Sequence, residues 1–299
     1  MGKIFKLLWV LLFGLAWLCV PSHSIAALRG QKATCGNGPQ KRVVELTANE
    51  GVVDIGEGLR MEAWTFNGAS PGPTIEVCQG DRVKIVVHNK GAMAHGLDSH
   101  AYRINISNFG PVAPGKTMAF ERKVSTPGVF MYHCANGAVT DQHIKMGMYG
   151  AMIVYPRKSL RRAHEIAVSE NGIYGKPDQK GLISPSSDRM VENRAYFVAY
   201  NGKLNHKPVK VKAGELVRVY FVNAGPHTSA FHIIGSILDR AYVSGNPRNV
   251  LYDIQTLQVP AGSGASFEFR VAEPGTNLLV DHDKLAQLPN GLGIPIVAR

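Results

Sequence analysis

Short runs rich in apolar and other β-forming residues make up most of the chain, and glycine or proline separates many of them. No long stretch has the spacing of an amphipathic helix. Short β-rich runs bounded by such turn residues are typical of strands. The clearest runs, which we predict to be strands, are residues 82–87, 117–123, 129–132 and 152–155. The pattern therefore predicts an all-β protein built as a sandwich or barrel.

The pattern occurs twice. Residues 77–89 (VCQGDRVKIVVHN) resemble residues 211–223 (VKAGELVRVYFVN), at an offset of 134. Residues 120–128 (FERKVSTPG) resemble residues 267–275 (FEFRVAEPG), at an offset of 147. We therefore predict two copies of one β-sandwich, a first domain over 43–157 and a second over 191–299. Residues 27–42 would form an N-terminal arm, and residues 158–190 a linker with an irregular entry to the second domain.

The N-terminus has the features of an export signal. Lys3 and Lys6 precede an apolar run over 7–20, and Ala26 ends a group of small residues suited to signal peptidase. Residues 1–26 are a predicted signal peptide, cleaved near Ala26, which would place the mature protein in the periplasm or another exported location. The run is short for a membrane span, although its retention as an uncleaved anchor remains an alternative.

Charge and cysteines add two expectations. The formal net charge of +11 comes without a nucleic-acid motif, so we expect no nucleic-acid partner. A basic surface suits an anionic substrate or an acidic redox partner, and it is equally consistent with a solvated surface of no special role. After export, Cys35 and Cys78 could form a disulfide between the arm and a strand, but the sequence does not show that they are close.

The candidate chemistry is concentrated between His133 and Met148. Cys134, His143 and Met148 offer a thiolate, an imidazole and a thioether, which are soft ligands suited to copper. Met146 competes with Met148 for the thioether position. A second imidazole has to come from elsewhere, and His95 is the upstream candidate.

Strand parity divides the candidate ligands into two sets. If Cys134 ends a strand, its side chain and that of His133 point to opposite faces. In an extended segment His95 likewise has the opposite parity to Asp98 and His100. An inner set then contains His95, Cys134, His143 and Met148, and an outer set contains His100 and His133 with Asp98. Two imidazoles make an incomplete site, and the equivalent end of the second repeat offers His282, which would arrive across an interface.

These motifs, together with Phe231-His232-Ile233-Ile234-Gly235 and Asp281-His282-Asp283, resemble those of the copper-containing nitrite reductases. The resemblance covers roughly residues 40–299 and implies two tandem cupredoxin-like Greek-key β-sandwich domains. The chain departs from some members at Gln142, where they carry tryptophan, and at Ser236-Ile237-Leu238, where they carry Gly-His-Gly. Neither position is an expected ligand.

The resemblance also implies two coppers per chain. Type 1 copper would be bound by His95, Cys134, His143 and Met148. Type 2 copper would be bound by His100, His133 and His282, with His282 supplied by the neighbouring subunit of a homotrimer. Asp98 and His232 would handle protons, and Ile234 would crowd the bound substrate.

The implied activity is the dissimilatory reduction of nitrite to nitric oxide and water, as in denitrification. A small cytochrome c or cupredoxin would deliver one electron to the type 1 copper, and the Cys134–His133 peptide would carry it to the type 2 copper. One alternative is a two-domain multicopper oxidase, but that chemistry requires His-x-His motifs and this sequence has none. Others are an electron carrier with an inactive outer site, and a reductase for another small nitrogen oxide.

Overall fold

A computed structural model describes residues 35–36, 38–105, 110–290 and 292–299, apart from the side chains of 288–290. The predicted signal peptide lies outside the described residues, as does most of the predicted arm. Among the described residues, no helix is long and apolar enough to cross a membrane.

The first domain contains eight strands, which include the predicted β-rich runs of the sequence. These are β1 (Lys41–Gly56), β2 (Leu59–Phe66), β3 (Ile75–Cys78), β4 (Arg82–Asn89), β5 (Asp98–Ser99), β6 (Thr117–Lys123), β7 (Gly128–His133) and β8 (Tyr149–Tyr155). A 3-10 turn over Gly137–Val139 and helix α1 (Thr140–Lys145) lie between β7 and β8. The four predicted strands are confirmed: 117–123 matches β6 at both ends, and the other three differ from the prediction by at most three residues at an end.

The rest of the chain forms twelve strands among the described residues. These are β9 (His164–Ile173), β10 (Leu182–Ile183), β11 (Phe197–Tyr200), β12 (Val209–Val211), β13 (Leu216–Asn223), β14 (Ser229–Ile234), β15 (Leu238–Val243), β16 (Val250–Ile254), β17 (Thr256–Val259), β18 (Ser263–Arg270), β19 (Gly275–Asp281) and β20 (Ile294–Ala298). Helix α2 (Ser187–Val191) follows β10, and a 3-10 segment over His282–Asn290 follows β19.

Each domain is a sandwich of two sheets. In the first domain the strand orders are β10-β2-β1-β4-β6 and β3-β8-β7-β5. In the second they are β11-β9-β13-β18-β15-β16 and β12-β20-β19-β14-β17. The parallel pairs β1–β4 and β3–β8 of the first domain correspond to the parallel pairs β9–β13 and β12–β20 of the second. The predicted repeat is therefore a repeat of topology as well as of sequence.

The predicted linker over 158–190 contains two strands. Its residues 164–173 form β9, which pairs in parallel with β13 inside the second sandwich, from His164–Val217 to Glu170–Asn223. Its residues Leu182 and Ile183 form β10, which extends the first domain's sheet beside β2. The second domain therefore begins near residue 164. The run from 164 to 173 carries polar residues that are buried by pairing, so simple alternation does not reveal it.

The two domains share an apolar interface. Val129, Met131 and Tyr149 of the first domain pack with Tyr220 and Val222 of the second. Because β13 is covered by its own core on one face and by the first domain on the other, all eight of its residues are buried. Strand β7, which carries Val129 and Met131, is therefore packed against the second domain.

A disulfide joins Cys35 to Cys78 at the end of β3, with the two Cα atoms 5.6 Å apart. This settles the alternative that the sequence left open, and ties the described part of the arm to the first sandwich. Among the described cysteines, Cys134 is the one outside the disulfide, and it is buried.

Candidate metal centres

Three potential ligand atoms meet inside the first domain. The Nδ1 atoms of His95 and His143 are 3.2 Å apart. The Cys134 sulfur lies 3.2 Å from Nδ1 of His143 and 3.8 Å from Nδ1 of His95. All three side chains are buried. A thiolate and two imidazoles converging in a closed apolar pocket form a donor set that fits copper.

The opposite ring nitrogens of the two histidines are also occupied. Nε2 of His95 lies 3.1 Å from a carboxylate oxygen of Glu50, and Nε2 of His143 lies 3.2 Å from the side-chain amide of Asn136. The backbone N–H of Gly96 donates to the Cys134 sulfur at 3.3 Å. Such second contacts orient ligating side chains before a metal arrives.

Main-chain hydrogen bonds place Met148 beside this pocket. Cys134 N donates to Met148 O, and Met148 N donates to His143 O, each at 3.0 Å. Met148 is fully buried in the same apolar cluster as Cys134, whereas Met146 packs with Tyr174 and Met190. These surroundings favour Met148 over Met146 as the thioether ligand.

His143 lies on helix α1, between strands β7 and β8. A turn at Gly147 returns the chain from this helix to β8. Gly147 has a φ of +118°, and a Cβ there would lie 2.5 Å from Ser70 Oγ, so a glycine is required. The tight turn brings His143 and Met148 to the same side of the pocket.

Burial sets the charge of this inner set. Burial lowers the pKa of His95, and it lowers the pKa of His143 to about 4 with a further contribution from neighbouring His95. Burial raises the pKa of the Cys134 thiol to about 12, although the Gly96 N–H opposes the shift. Both imidazoles are therefore neutral and able to ligate at pH 7, and a cation would have to displace the thiol proton.

Glu50 remains ionised beside the inner set. Burial raises the pKa of its carboxyl, but hydrogen bonds from the backbone of Ala92, from His95 and from the backbone of Met93 outweigh it, and the pKa is lowered overall. The structure thus places a carboxylate against one of the two inner histidines.

Asp98, His100 and His133 form a second group on the outer side of β5 and β7. The Nε2 atoms of His100 and His133 are 3.1 Å apart, and a carboxylate oxygen of Asp98 lies 3.8 Å from His133 Nε2. His133 is buried, Asp98 is half-buried and His100 is exposed. Burial lowers the pKa of His133 despite its hydrogen bond to Cys134 O. The group is open on one side, as the sequence analysis expected for an incomplete site.

Both outer histidines have Nδ1 bound to a backbone carbonyl. His133 Nδ1 lies 2.8 Å from Cys134 O, and His100 Nδ1 lies 2.8 Å from Gly262 O, in the turn between β17 and β18 of the second domain. A carbonyl only accepts, so each Nδ1 carries the proton and each Nε2 is free to ligate. The inner set therefore presents Nδ1 atoms and the outer set Nε2 atoms.

The remaining candidates lie together on the second domain. His232 on β14 and His282 at the start of the 3-10 segment have ring centroids 5.4 Å apart. His282 is exposed, His232 is half-buried with Nδ1 2.8 Å from Gln255 O, and Ile234 is 41% exposed. Within the described part of one chain, the converging outer group contains Asp98, His100 and His133 but not His282.

The two groups of ligand atoms are joined through a single peptide bond. Strand β7 ends at His133, whose side chain belongs to the outer group, and Cys134 follows with its sulfur in the inner set. Asp98 and Ser99 of β5 pair with His133 and Tyr132 of β7. This pairing places Asp98 and His133 on the same face of the sheet. Two different ligand sets thus lie back to back.

The sequence analysis did not identify Glu50, Asn136, Trp64 or Gly262. The Trp64 ring makes an edge contact with His143, with centroids 4.5 Å apart. Glu50 is 45 residues before His95, and Gly262 is 162 residues after His100. No local spacing could have indicated either contact. Asn136, two residues after Cys134, was the one that spacing could have suggested.

The fold and these two groups of side chains define a two-domain cupredoxin with two candidate metal-binding groups. Residues 47–159 match the multicopper oxidase family. A copper-containing nitrite reductase of Neisseria gonorrhoeae is 35% identical over 256 residues, which are 82% of this chain and 65% of the relative. The chain thus spans somewhat less than two thirds of that relative's length.

Solved structures agree with this assignment. The copper nitrite reductase of Nitrosomonas europaea is 33% identical, with a TM-score of 0.75, over 86% of this chain and 94% of that one. A multicopper oxidase structure is 25% identical, with a TM-score of 0.76, over 91% of this chain and 93% of that one. The chain belongs to the copper-containing nitrite reductase family.

Proposed function

We propose that the protein is a copper-dependent nitrite reductase that forms nitric oxide. The observation that carries the proposal is the pair of ligand sets joined at the His133–Cys134 peptide. An electron carrier needs the inner set alone, whereas an enzyme needs an inlet for electrons and a separate site for substrate. The named activity of the Neisseria and Nitrosomonas relatives supports this reading.

In this proposal His95, Cys134, His143 and Met148 hold type 1 copper, and His100, His133 and His282 hold type 2 copper. Copper would supply one-electron transfer at the inner set and Lewis-acid activation of nitrite at the outer set. The reaction consumes one electron and two protons per nitrite, and it releases one nitric oxide and one water. The Cys134–His133 peptide is the short covalent path between the two sets.

Within the described part of the chain, no third imidazole converges on the outer set. His100 and His133 converge on an open side, while His282 stands exposed on the second domain. We infer that His282 comes from a neighbouring copy and that the assembly is a homotrimer. The same contact would bring His232 and Ile234 of that copy to the site.

Proton supply would fall to Asp98 and His232. Asp98 is half-buried beside His133, so its carboxylate can reach a ligand bound at the open side. The Nδ1 atom of His232 is bound to Gln255 O, which leaves its Nε2 to accept or donate a proton. Ile234 offers an exposed apolar surface that would restrict the orientation of bound nitrite.

We also propose that the electrons come from a small cytochrome c or cupredoxin. The protein would work after export, in the periplasm or an equivalent compartment. A reductase placed there needs a soluble donor that can approach the first domain near the inner set.

The direct test is anaerobic incubation of the copper-loaded protein with nitrite and an artificial electron donor, with nitric oxide measured by electrode. We expect two coppers per chain and nitric oxide formation. A fully loaded protein that forms no nitric oxide would overturn the proposal. One copper per chain would instead favour an electron carrier, and oxygen consumption without nitrite turnover would favour the oxidase alternative.

The shared site has its own test. His100→Ala and His282→Ala should each be inactive, because each removes one outer ligand. Mixed assemblies of the two variants should regain part of the activity, since one copy still supplies His282 to an intact first domain of the next. No recovery in mixed trimers would show that all ligands come from one chain.

A further inference from the structure

The two inner histidines have unlike partners on their far sides. His95 Nε2 faces the Glu50 carboxylate at 3.1 Å, and His143 Nε2 faces the neutral amide of Asn136 at 3.2 Å. A carboxylate that accepts an imidazole N–H makes the ring a stronger donor through its other nitrogen. The Asn136 atom that faces His143 is the amide nitrogen, which is a donor and cannot accept an imidazole N–H. The inner set is therefore electronically asymmetric.

The carboxylate is held by the fold and not only by the histidine. Glu50 lies on β1 opposite Trp64, and it accepts hydrogen bonds from the backbone N–H groups of Ala92 at 2.9 Å and Met93 at 3.4 Å. A Cβ at Gly91 would lie 2.6 Å from the carboxylate, so a glycine leaves room for it. Three N–H donors converge on one side chain, which is typical of a built anion position.

The second domain has no such group at the equivalent position. Strand β9 corresponds to β1, because Glu170 pairs with Asn223 as Ala48 pairs with Asn89. Two residues further on, Glu50 therefore corresponds to Gly172, which has no side chain. At this position the second repeat has no carboxylate; its Glu170, two residues earlier in the strand, accepts from Ser229 and faces no imidazole ligand set.

We propose that Glu50 is a positioning residue that lowers the reduction potential of copper held by the inner set. By accepting the Nε2–H of His95, its carboxylate keeps Nδ1 as the ligating atom and increases the donor strength of that ring. A stronger anionic donor environment stabilises Cu(II) more than Cu(I). Glu50 would thus increase the driving force for passing the electron on to the outer site. The inference rests on the proposed function only in requiring copper at the inner set.

The first experiment is a redox titration of copper-loaded Glu50→Gln, following the visible absorption of the inner-set copper. Glutamine keeps the size of the side chain and removes its charge. We expect the equilibrium constant for copper reduction by a mediator to rise about tenfold, which is about 59 mV for one electron. A potential equal to that of the unsubstituted protein, or a lower one, would overturn the inference.

Two further variants separate the effect of the Glu50 charge on His95 from other effects on the potential. Glu62→Gln removes an exposed carboxylate from the neighbouring strand β2 of the same sheet, and should leave the potential unchanged. Glu50→Asp keeps the charge but shortens the side chain, so it should shift the potential less than Glu50→Gln does. If Glu50 acted only by packing, the shortened aspartate would shift it at least as much as the isosteric glutamine.

Binding measurements cover the case in which Glu50→Gln holds copper weakly. Competition with Cu(I) and Cu(II) chelators should show the Cu(II) affinity falling about tenfold more than the Cu(I) affinity, the same ratio as the potential shift. Equal losses of both affinities would overturn the inference. These readouts do not involve nitrite. If the unsubstituted protein lacked inner-set copper, the proposed function itself would fail. If it bound that copper and Glu50→Gln had the same reduction potential, only the role of Glu50 would be rejected.

Discussion

The two repeats differ most at the end of the sandwich where the first one gathers its ligands. Elsewhere they agree down to single hydrogen bonds. The Asn89 side chain donates to Met93 O and Val112 O, and the Asn223 side chain donates to His227 O and Val259 O. In both domains this asparagine ties the end of a central strand to the segment that leads to the ligand positions. The scaffold is therefore common to both repeats.

At the inner positions the soft ligands of the first domain are replaced by oxygen groups. The offset of 134 places Ser229 at the position of His95, and the offset of 147 places Asp281 at that of Cys134. Ser229 Oγ donates to the buried Glu170 carboxyl at 2.8 Å, and Asp281 accepts from Ala230 N at 2.8 Å. The second domain thus closes this end with hydrogen bonds where the first has a thiol and imidazoles. The scaffold tolerates either solution, so the side chains alone decide whether a copper site exists.

The outward-facing positions next to these also correspond between the two repeats. Asp98 pairs with His133 in the first domain, and His232 pairs with Val280 in the second, at equivalent positions. The proposed proton-handling residues therefore come from the same place in the two repeats. His100 corresponds in turn to Ile234. A site formed between a first domain and a second domain would combine the ligands of one with the apolar residue of the other.

The largest expected effect is at Cys134. Cys134→Ser should remove the inner copper, lower the copper content from two to one per chain and reduce nitrite turnover more than about 100-fold, since losing a ligand costs more than losing a second contact. The control is Ser229→Ala in the second domain, at the position equivalent to His95, which should retain both coppers. Metal analysis with the visible spectrum measures both. A colourless Ser229→Ala would contradict the assigned division between the repeats.

Asp98→Asn should have the next largest effect. The amide keeps the size of the side chain but cannot transfer a proton as the carboxyl does, so we expect a loss of about 100- to 10,000-fold in turnover with both coppers retained. Steady-state nitric oxide formation and metal analysis test this. Full activity in the variant would remove Asp98 from the proton path.

Removing the disulfide should destabilise the first domain. The bond closes a loop with a sequence separation of 43, and we expect the Cys35→Ser/Cys78→Ser variant to lose about 3–4 kcal/mol of unfolding free energy. Denaturant titration of the oxidised protein and the double variant measures the difference. A reducing agent should lower the stability of the unsubstituted protein and leave the variant unaffected. Equal stability of the two proteins would show that the bond adds nothing.

The smallest expected effect is at the oxygen-rich end of the second domain. Burial, with a contribution from Asp281, raises the pKa of Glu170 to about 8 from an ordinary value of 4.5. Between these values the unfolded chain releases a proton that the folded chain retains, so folding stability falls as the pH rises through this window. Glu170→Gln should therefore be more stable than the unsubstituted protein by a few kcal/mol at pH 8, with little difference at pH 4.5.

Urea titrations at several pH values test this prediction. The control is Glu273→Gln, an exposed carboxylate of the same domain, which should show no such pH-dependent gain. A Glu170→Gln variant that is less stable than the unsubstituted protein at pH 8 would show that the carboxylate is ionised and stabilising in the fold.

Local patterning was sufficient to predict much of this molecule. Strands β4, β6, β7 and β8 follow directly from short β-rich runs bounded by glycine, proline or polar residues. In β7 and β8 these runs are apolar almost throughout, and nearly all of their residues are buried. The repeat offset predicted the shared topology. Ligand type at Cys134 and His143, and the opposite facing of His133, are also local properties, since they depend only on neighbouring residues and on strand geometry.

Other features depend on contacts between distant parts of the chain. Strand β9 was missed because its burial comes from pairing with β13 and not from its own pattern. The Cys35–Cys78 bond needed two segments to approach within 5.6 Å. The choice of Nδ1 at His95 and Nε2 at His100 was decided by Glu50 and by Gly262 O, each many residues away. Ligand identity is a property of single residues, but orientation and electronic character are set by second partners, which only tertiary packing brings into place.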